Sequence, residues 1–366
     1  MLTALTNGTI YTGKKKFKGK ALLFDQSGIK DIVDAEDIPE EATITDCEGG
    51  NICPGLVDLQ VYGGGGFLFS EEPSGEALQA IANALVQSGT TGCLLTLATN
   101  GVPVYRDAIH VVRYNPHPAV IGLHFEGPYI NPEKKGAHLE EFIKLPTIDE
   151  VRAMVGEAAG ILKIMTLAPE LTDASIIKLL PEAGVVVSAG HSMATYGEAM
   201  QGFGAGIGGV THLFNAMSPL HHREPGLPGA AYNSTASVSI IADGVHVDFA
   251  TVAFSKKALG ERLFLITDAV DESSGVYTHV KEDDRFTLPD GTLSGSRLTM
   301  LQAVKNCVQQ AGIALDEALR MASTYPANLL GAADLGRLEP GAKANILVFN
   351  GDFTAQRVYL EGEKVL

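Results

Sequence analysis

The sequence predicts an α/β chain: a (β/α)8 TIM barrel with a small β-sandwich domain formed by both termini. Three observations predict it. Through the middle of the chain, apolar runs suited to parallel strands alternate eight times with helix-compatible stretches, and eight is the count that closes a barrel. The two ends instead carry short β-type runs punctuated by Gly and Asp, with no helical period. Finally, 366 residues, 45% of them apolar and 19% charged, supply a large core and exceed one barrel of ~250 residues by the size of a small appendage.

Within the first fifty residues the β-type runs fall at 4–11, 21–24, 29–33 and 42–46, which read as a small antiparallel sheet. Lys14, Lys15 and Lys16, beside Lys18 and Lys20, read as a solvated turn. Barrel strands are expected at 56–61, 93–98, 120–125, 162–167, 185–189, 208–213, 236–242 and 262–267. Helices are expected at 74–87, 147–158, 173–183 and 195–202, with two more at 298–310 and 315–323 after the eighth strand. The last thirty residues return to β character at 344–349, 353–359 and 363–366, so residues 1–53 and 335–366 should form one β domain and 54–334 the barrel.

Composition narrows the function. Lys plus Arg is 27 against 43 Asp plus Glu, a net charge of −16 that repels nucleic acid and anionic membrane surfaces. A small phosphorylated ligand remains compatible, because a few local cations in a cleft outweigh the mean field at short range. No apolar run reaches the ~18 residues of a membrane span, and the N-terminal lysines follow the mildly apolar stretch instead of preceding it, so a cytoplasmic protein is expected. Cys47, Cys53, Cys93 and Cys307 lack CxxC spacing and read as small buried hydrophobes.

In such barrels the reacting groups stand at the carboxyl ends of the strands, where loops from all eight units converge. The expected strand ends supply Gln60, Glu126, His191, His212, His246 and Asp268. A carboxylate and two imidazoles, Glu126, His191 and His212, give three protein ligands and leave a position for water, the pattern of a catalytic metal site. A divalent ion is expected, and Zn2+, Fe2+, Co2+ and Mn2+ all fit these ligand types. His124 shares the parity of Glu126 and should orient the metal shell from inside the barrel. Asp268 ends the apolar run LFLITD, where it would exchange protons with the attacking water and the leaving group.

Seven ordered motifs carry a resemblance: PGLVDLQVYGGGG at 54–66, GLHFEGPYINPEKKGAH at 122–138, AGHSMATYGEA at 189–199, THLFNAMSPLHHREPGLPGAA at 211–231, ADGVHVD at 242–248, LITDAV at 265–270 and SGSRLTM at 294–300. Together they resemble the N-acetylglucosamine-6-phosphate deacetylases of the amidohydrolase superfamily. The resemblance implies a metal held by Glu126, His191 and His212, Asp268 as catalytic carboxylate, and His138 as donor to the substrate carbonyl as it becomes an oxyanion. It further implies that Asn215 and Ala216 hold the sugar phosphate, that Arg223 and His246 bind the phosphate group, and that one phosphate ligand comes from a neighbouring subunit of a homodimer or homotetramer.

Many amidohydrolases place His-x-His at the end of the first strand to hold a second metal. Those positions here are Gln60 and Tyr62, which favours a single ion with Gln60 bonded to its water. Relatives with Gln at the first position usually have Asn at the second, so Tyr62 departs from the pattern. Gly63–Gly66, lacking a GxxxxGK frame, reads as a loop that lets backbone approach the substrate. Lys134 and Lys135 are candidates for steering an anion.

The implied reaction is hydrolysis of the N-acetyl group of N-acetylglucosamine 6-phosphate to glucosamine 6-phosphate and acetate. Two alternatives stand beside it: deacetylation of another N-acetylhexosamine 6-phosphate such as the galactosamine epimer, and a non-catalytic sugar-phosphate sensor on the same fold.

Overall fold

Eight parallel strands wind round the centre of the molecule in strict sequence order, in a computed structural model that describes residues 1–366. They are β1 (Leu56–Val61), β2 (Thr90–Leu97), β3 (Val120–Glu126), β4 (Leu162–Leu167), β5 (Val186–Ala189), β6 (Gly209–Val210), β7 (Ser237–Ile240) and β8 (Leu263–Leu265). Every residue of β1 and β2 is buried, as expected of strands covered on both faces.

The first and last strands do not pair directly. The segment after β8 closes the ring: Asp268 N donates to Gln60 O at 2.9 Å and Tyr62 N to Ala269 O at 2.8 Å. The backbone that completes the barrel is therefore the backbone that carries Asp268.

The outer layer is α1 (Gly75–Gln87), α2 (Val102–Tyr114), α3 (Ile148–Glu157), α4 (Ala174–Glu182), α5 (Tyr196–Ala205), α6 (Gly226–Asn233), α7 (Phe249–Leu259) and α8 (Met300–Gln309). Local chemistry fixes their starts. Ser74, Thr147, Asp173 and Thr299 accept backbone N–H groups at the helix N-termini, and Thr195 with Glu198 forms a reciprocal capping box.

Four expected strands shorten: 185–189 to β5, 208–213 to β6, 236–242 to β7 and 262–267 to β8. His212 and Asp268, just past β6 and β8, adopt left-handed backbone (φ 34° and 55°) that turns the chain away from the strand direction.

The terminal segments differ from a single antiparallel sheet. The run 4–11 breaks at Asn7, whose φ is 51°, into Thr3–Thr6 and Thr9–Tyr11. The first joins a four-stranded sheet and the second a six-stranded sheet that also holds Ile346–Phe349 and Ala355–Leu360. Each of the two pieces makes one parallel pairing, with Thr43–Asp46 and with Asn51–Pro54. Side chains of both sheets, among them Leu5, Phe24, Ile10, Ile52 and Val348, share one apolar cluster. Lys16 belongs to the strand Lys16–Lys18, not to a turn.

All four cysteines are free and buried. No helix is long and apolar enough to cross a membrane.

Candidate metal-dependent hydrolase site

Below the site, the barrel interior is polar. His124 Nε2 lies 2.8 Å from Thr166 Oγ1, which lies 2.7 Å from Thr211 Oγ1, which lies 2.6 Å from Ser188 Oγ. His124 Nδ1 is 3.0 Å from Leu59 O. Burial pushes this imidazole down to about 4, so it is neutral. Both ring nitrogens are thus engaged by barrel groups, and His124 makes no hydrogen bond to the expected metal ligands. Asp58 accepts from Gln60 N and Thr267 N, both at 3.2 Å, and from the Thr267 hydroxyl, tying β1 to the segment that carries Asp268. Burial raises its carboxyl to about 7.

Above this layer, Glu126 at the end of β3 meets His191 and His212, which follow β5 and β6. Glu126 Oε1 lies 3.2 Å from His191 Nε2 and 2.9 Å from His212 Nε2, and the two nitrogens are 3.1 Å apart. All three side chains are buried. Donors about 2.0–2.1 Å from an ion in a tetrahedron stand about 3.3 Å from one another, close to this spacing.

The tautomer supports the fit. His191 Nδ1 donates to Lys134 O at 2.7 Å, which leaves Nε2 a bare lone pair facing the other two ligand atoms. Three electron-rich atoms converging in a dry site suit a cation. Burial opposes ionisation of Glu126, but the neighbouring imidazoles, by attraction and by hydrogen bonds, hold its carboxyl well below the usual range. Burial also opposes a charged His212, yet the Glu126 carboxylate holds it above its ordinary value.

Gln60 joins this cluster to the second carboxylate. Its Nε2 donates to Asp268 Oδ1 at 2.7 Å and to Glu126 Oε1 at 3.0 Å. Burial raises the Asp268 carboxyl above its ordinary value, with the neighbouring charge of Glu126 adding to the shift and the imidazoles opposing it. His191, His212 and Asp268 all have positive φ, 47°, 34° and 55°. Such backbone costs of order 1–3 kcal/mol per residue and persists only where the surroundings impose it. Here it bends each chain at its strand end, beside the one cavity that all three line.

His138 comes from the loop after β3. Thr99 N donates to its Nδ1 at 3.0 Å, so Nε2 carries the proton and donates to Glu126 Oε2 at 2.9 Å. Burial drives its pKa down to about 4, which leaves a neutral donor. The cavity these residues line has a volume of ≈ 360 Å³, within the range of small-molecule sites. Asn215 and Ala216 line it too, the former bonded through Nδ2 to His212 O and Leu213 O, both at 3.4 Å.

His246 lies in the cavity wall, its Nδ1 2.6 Å from Asp243 Oδ2 and its Nε2 2.7 Å from Ser294 O. Burial opposes protonation, but Asp243 wins and holds the imidazole above its ordinary value.

The structure does not bring Arg223 to this cavity. Its side chain sits on an exposed loop with Nε donating to His222 Nε2 at 3.1 Å. Gly63–Gly66 also stays outside. Gly63–Gly64 and Phe67–Leu68 pair as a small hairpin whose turn needs the positive φ of Gly65 and Gly66 (63° and 88°), and none of the four glycines lines the cavity. Lys134 lines the cavity, whereas Lys135 is paired with Glu140 at 2.8 Å.

Three contributors escaped the sequence reading. Tyr277, His279 and Ser294 cover the cavity from the segment between β8 and α8. Tyr277 donates to Thr99 O, and His279 Nδ1 meets Ser294 Oγ. This stretch has no periodicity that could have revealed its position, although the SGSR motif lies at its end.

A barrel that gathers a carboxylate, two imidazoles and a second buried carboxylate at the carboxyl ends of its strands is built as a metal-dependent hydrolase. The model of the amidohydrolase family matches residues 51–365, and that of the NagA composite domain matches residues 2–52. The N-acetylglucosamine-6-phosphate deacetylase of Haemophilus influenzae is 33% identical over 99% of both chains. The N-acetylgalactosamine-6-phosphate deacetylase of Escherichia coli O157:H7 is 33% identical over 90% of both. The crystal structure of N-acetylglucosamine-6-phosphate deacetylase from Pasteurella multocida superposes with a TM-score of 0.96 at 38% identity, covering 100% of this chain and 99% of that one. The chain belongs to the amidohydrolase family, whose members are metal-dependent enzymes.

Proposed function

We propose that this chain removes the N-acetyl group of N-acetylglucosamine 6-phosphate, releasing acetate and glucosamine 6-phosphate. The observation that carries the reading is the meeting of Glu126, His191 and His212 in one buried cluster, joined through Gln60 to Asp268. Glu126, His191 and His212 would hold one divalent ion, with Zn2+ the first choice for one carboxylate and two imidazoles. When bound, such an ion supplies Lewis acidity and an acidified water.

The chain's own residues address the two obstacles to amide hydrolysis. Negative charge that builds on the carbonyl oxygen is met by the Nε2–H of His138, already fixed in the donor tautomer by Thr99. The amine is too basic to leave unprotonated. Asp268 takes the proton of the attacking water and returns it to that nitrogen, and Gln60 keeps the carboxylate aimed. Asn215 and Ala216 line the wall against which the sugar would lie.

The phosphate would be met by His246 from this chain and by Arg223 from a neighbouring copy, since Arg223 is exposed away from its own cavity. A homodimer or homotetramer follows from that division of labour, and a cytoplasmic location fits the free buried thiols. Arg223→Ala should raise KM for phosphorylated substrate about tenfold or more while leaving unphosphorylated N-acetylglucosamine unaffected, as steady-state kinetics on both will read. An equal loss on both would remove its phosphate role.

A second reading is the galactosamine epimer, because a relative named N-acetylgalactosamine-6-phosphate deacetylase shares the same 33% identity as one named N-acetylglucosamine-6-phosphate deacetylase. The sensor alternative has no support: binding alone needs no proton shuttle beside a metal cluster. The deciding measurement is acetate release from both epimeric 6-phosphates by Zn2+-loaded protein. Turnover of the glucosamine substrate at the higher kcat/KM is expected, and absence of acetate from that substrate would overturn the proposal.

A further inference from the structure

Tyr62 has no place in the machinery described so far. It stands just past β1, where a second imidazole ligand would stand in a His-x-His pair. Its ring is buried in a small apolar cluster with Leu68, Ala98, Val270 and Tyr277. Its backbone is tied on both sides, N donating to Ala269 O and O accepting from Phe69 N, each at 2.8 Å. The hydroxyl meets Glu126 Oε2 and lies 3.3 Å from Gln60 Nε2.

The two oxygens of Glu126 therefore have different tasks. Oε1 faces the imidazole nitrogens of His191 and His212 at 3.2 and 2.9 Å. Oε2 receives the hydroxyl of Tyr62 and the Nε2–H of His138. His138 cannot give its full hydrogen bond to a substrate carbonyl while it is held by Oε2. If it turns to the substrate, a buried carboxylate oxygen must keep another donor or rotate toward the ion as a bidentate ligand.

We propose that Tyr62 is a positioning residue for Glu126: its O–H holds Oε2, so that the carboxylate presents Oε1 alone to a single ion, stays in place when His138 turns to substrate, and leaves no room for a second ion. The release of His138 rests on the deacetylase reading above; the control of metal binding does not. A phenol does this where a much shorter asparagine side chain would leave space, which gives the departure from the usual Gln-x-Asn pattern a physical meaning.

The test uses the full-length chain with Tyr62→Phe and Tyr62→His. Metal ions per chain are counted by mass spectrometry after Zn2+ loading, Zn2+ affinity is read by chelator competition without substrate, and kcat and KM are measured on N-acetylglucosamine 6-phosphate. Wild type should hold one ion. Tyr62→Phe should weaken Zn2+ by roughly 10–100-fold, the effect of losing a partner that orients a ligand, and lower kcat more than KM. Tyr62→His should take up a second ion.

An unchanged Zn2+ affinity in a folded Tyr62→Phe variant overturns the proposal, as does a second ion in wild type. So does a phenolate-to-metal charge-transfer band in Cu2+-loaded wild type that Tyr62→Phe lacks, since Tyr62 would then be a ligand itself. The affinity shift is read without turnover, so its presence in a protein that releases no acetate would sink the deacetylase reading and leave this one standing.

Discussion

Asp268→Asn should keep its metal and lose its turnover. The amide oxygen of Asn can still accept Gln60 Nε2 where Asp268 Oδ1 now accepts it at 2.7 Å, so the geometry around Glu126 has no reason to change. What disappears is the proton acceptor, and the rate should fall about 10²–10⁴-fold, the usual contribution of general acid–base catalysis. Acetate release and metal content measured on one preparation will separate the two effects. Retained activity would take the proton shuttle away from Asp268, and lost metal would make it a ligand.

The same substitution has a stability consequence with a definite sign. Burial raises the Asp268 carboxyl above its ordinary 3.8 in the metal-free protein. Above that ordinary value the unfolded chain gives up the proton more readily than the folded one, so this group destabilises the fold as pH rises. Metal-free Asp268→Asn should therefore melt higher than wild type at pH 7, and the gain should vanish as pH falls below about 4. Thermal melts at both pH values read this directly.

Glu126→Gln should empty the site. Oε1 of Glu126 is the one charged atom among the three that converge, and it keeps His212 above its ordinary pKa despite burial. An amide of the same shape still fills the space and still accepts from Tyr62 or His138, so the fold should survive. Two imidazoles and a neutral oxygen bind a divalent ion far more weakly than a set with a carboxylate, and the loss should exceed the ~10–100-fold typical of a partner beyond the ligands. Ion content near zero, acetate release at background and an unaltered circular dichroism spectrum are the expected results. Full occupancy by metal would remove Glu126 from the ligand set.

Much of this was legible in the sequence because it is local. The eight apolar runs mark barrel strands whether or not their neighbours are known, since strands covered on both faces cannot be polar along their length. Helix starts were equally local: the expected run 147–158 is observed as Ile148–Glu157, with Thr147 as its cap. Glu126, His191, His212 and Asp268 could be picked out because barrel chemistry sits at strand ends, a rule that needs only strand positions.

Other features were hidden because they depend on which distant residues become neighbours. The turn at Asn7 sends two halves of one apolar run into different sheets, which no periodicity over eight residues distinguishes from a single strand. Tyr277 and His279 look like loop residues until the chain folds back over the cavity. Arg223 shows the converse, a motif residue that its own chain leaves outside the site.

The sequence by itself determined the barrel, the β character of both termini and the kinds of side chain at the strand ends, since each follows from patterns a few residues long. Only the tertiary structure decided how those side chains act. Gln60 reaches Asp268 across 208 residues of sequence because the segment after β8 closes the ring. His191, His212 and Asp268 leave their strands through left-handed backbone that the surrounding packing imposes. Glu126 has its two oxygens divided between the imidazoles of His191 and His212 and a phenol because parallel pairing with β2 brings the ends of β1 and β3 side by side. Spacing along the chain carries no record of these distances, which is why a tyrosine that departs from its family's pattern acquires a role only once its neighbours are known.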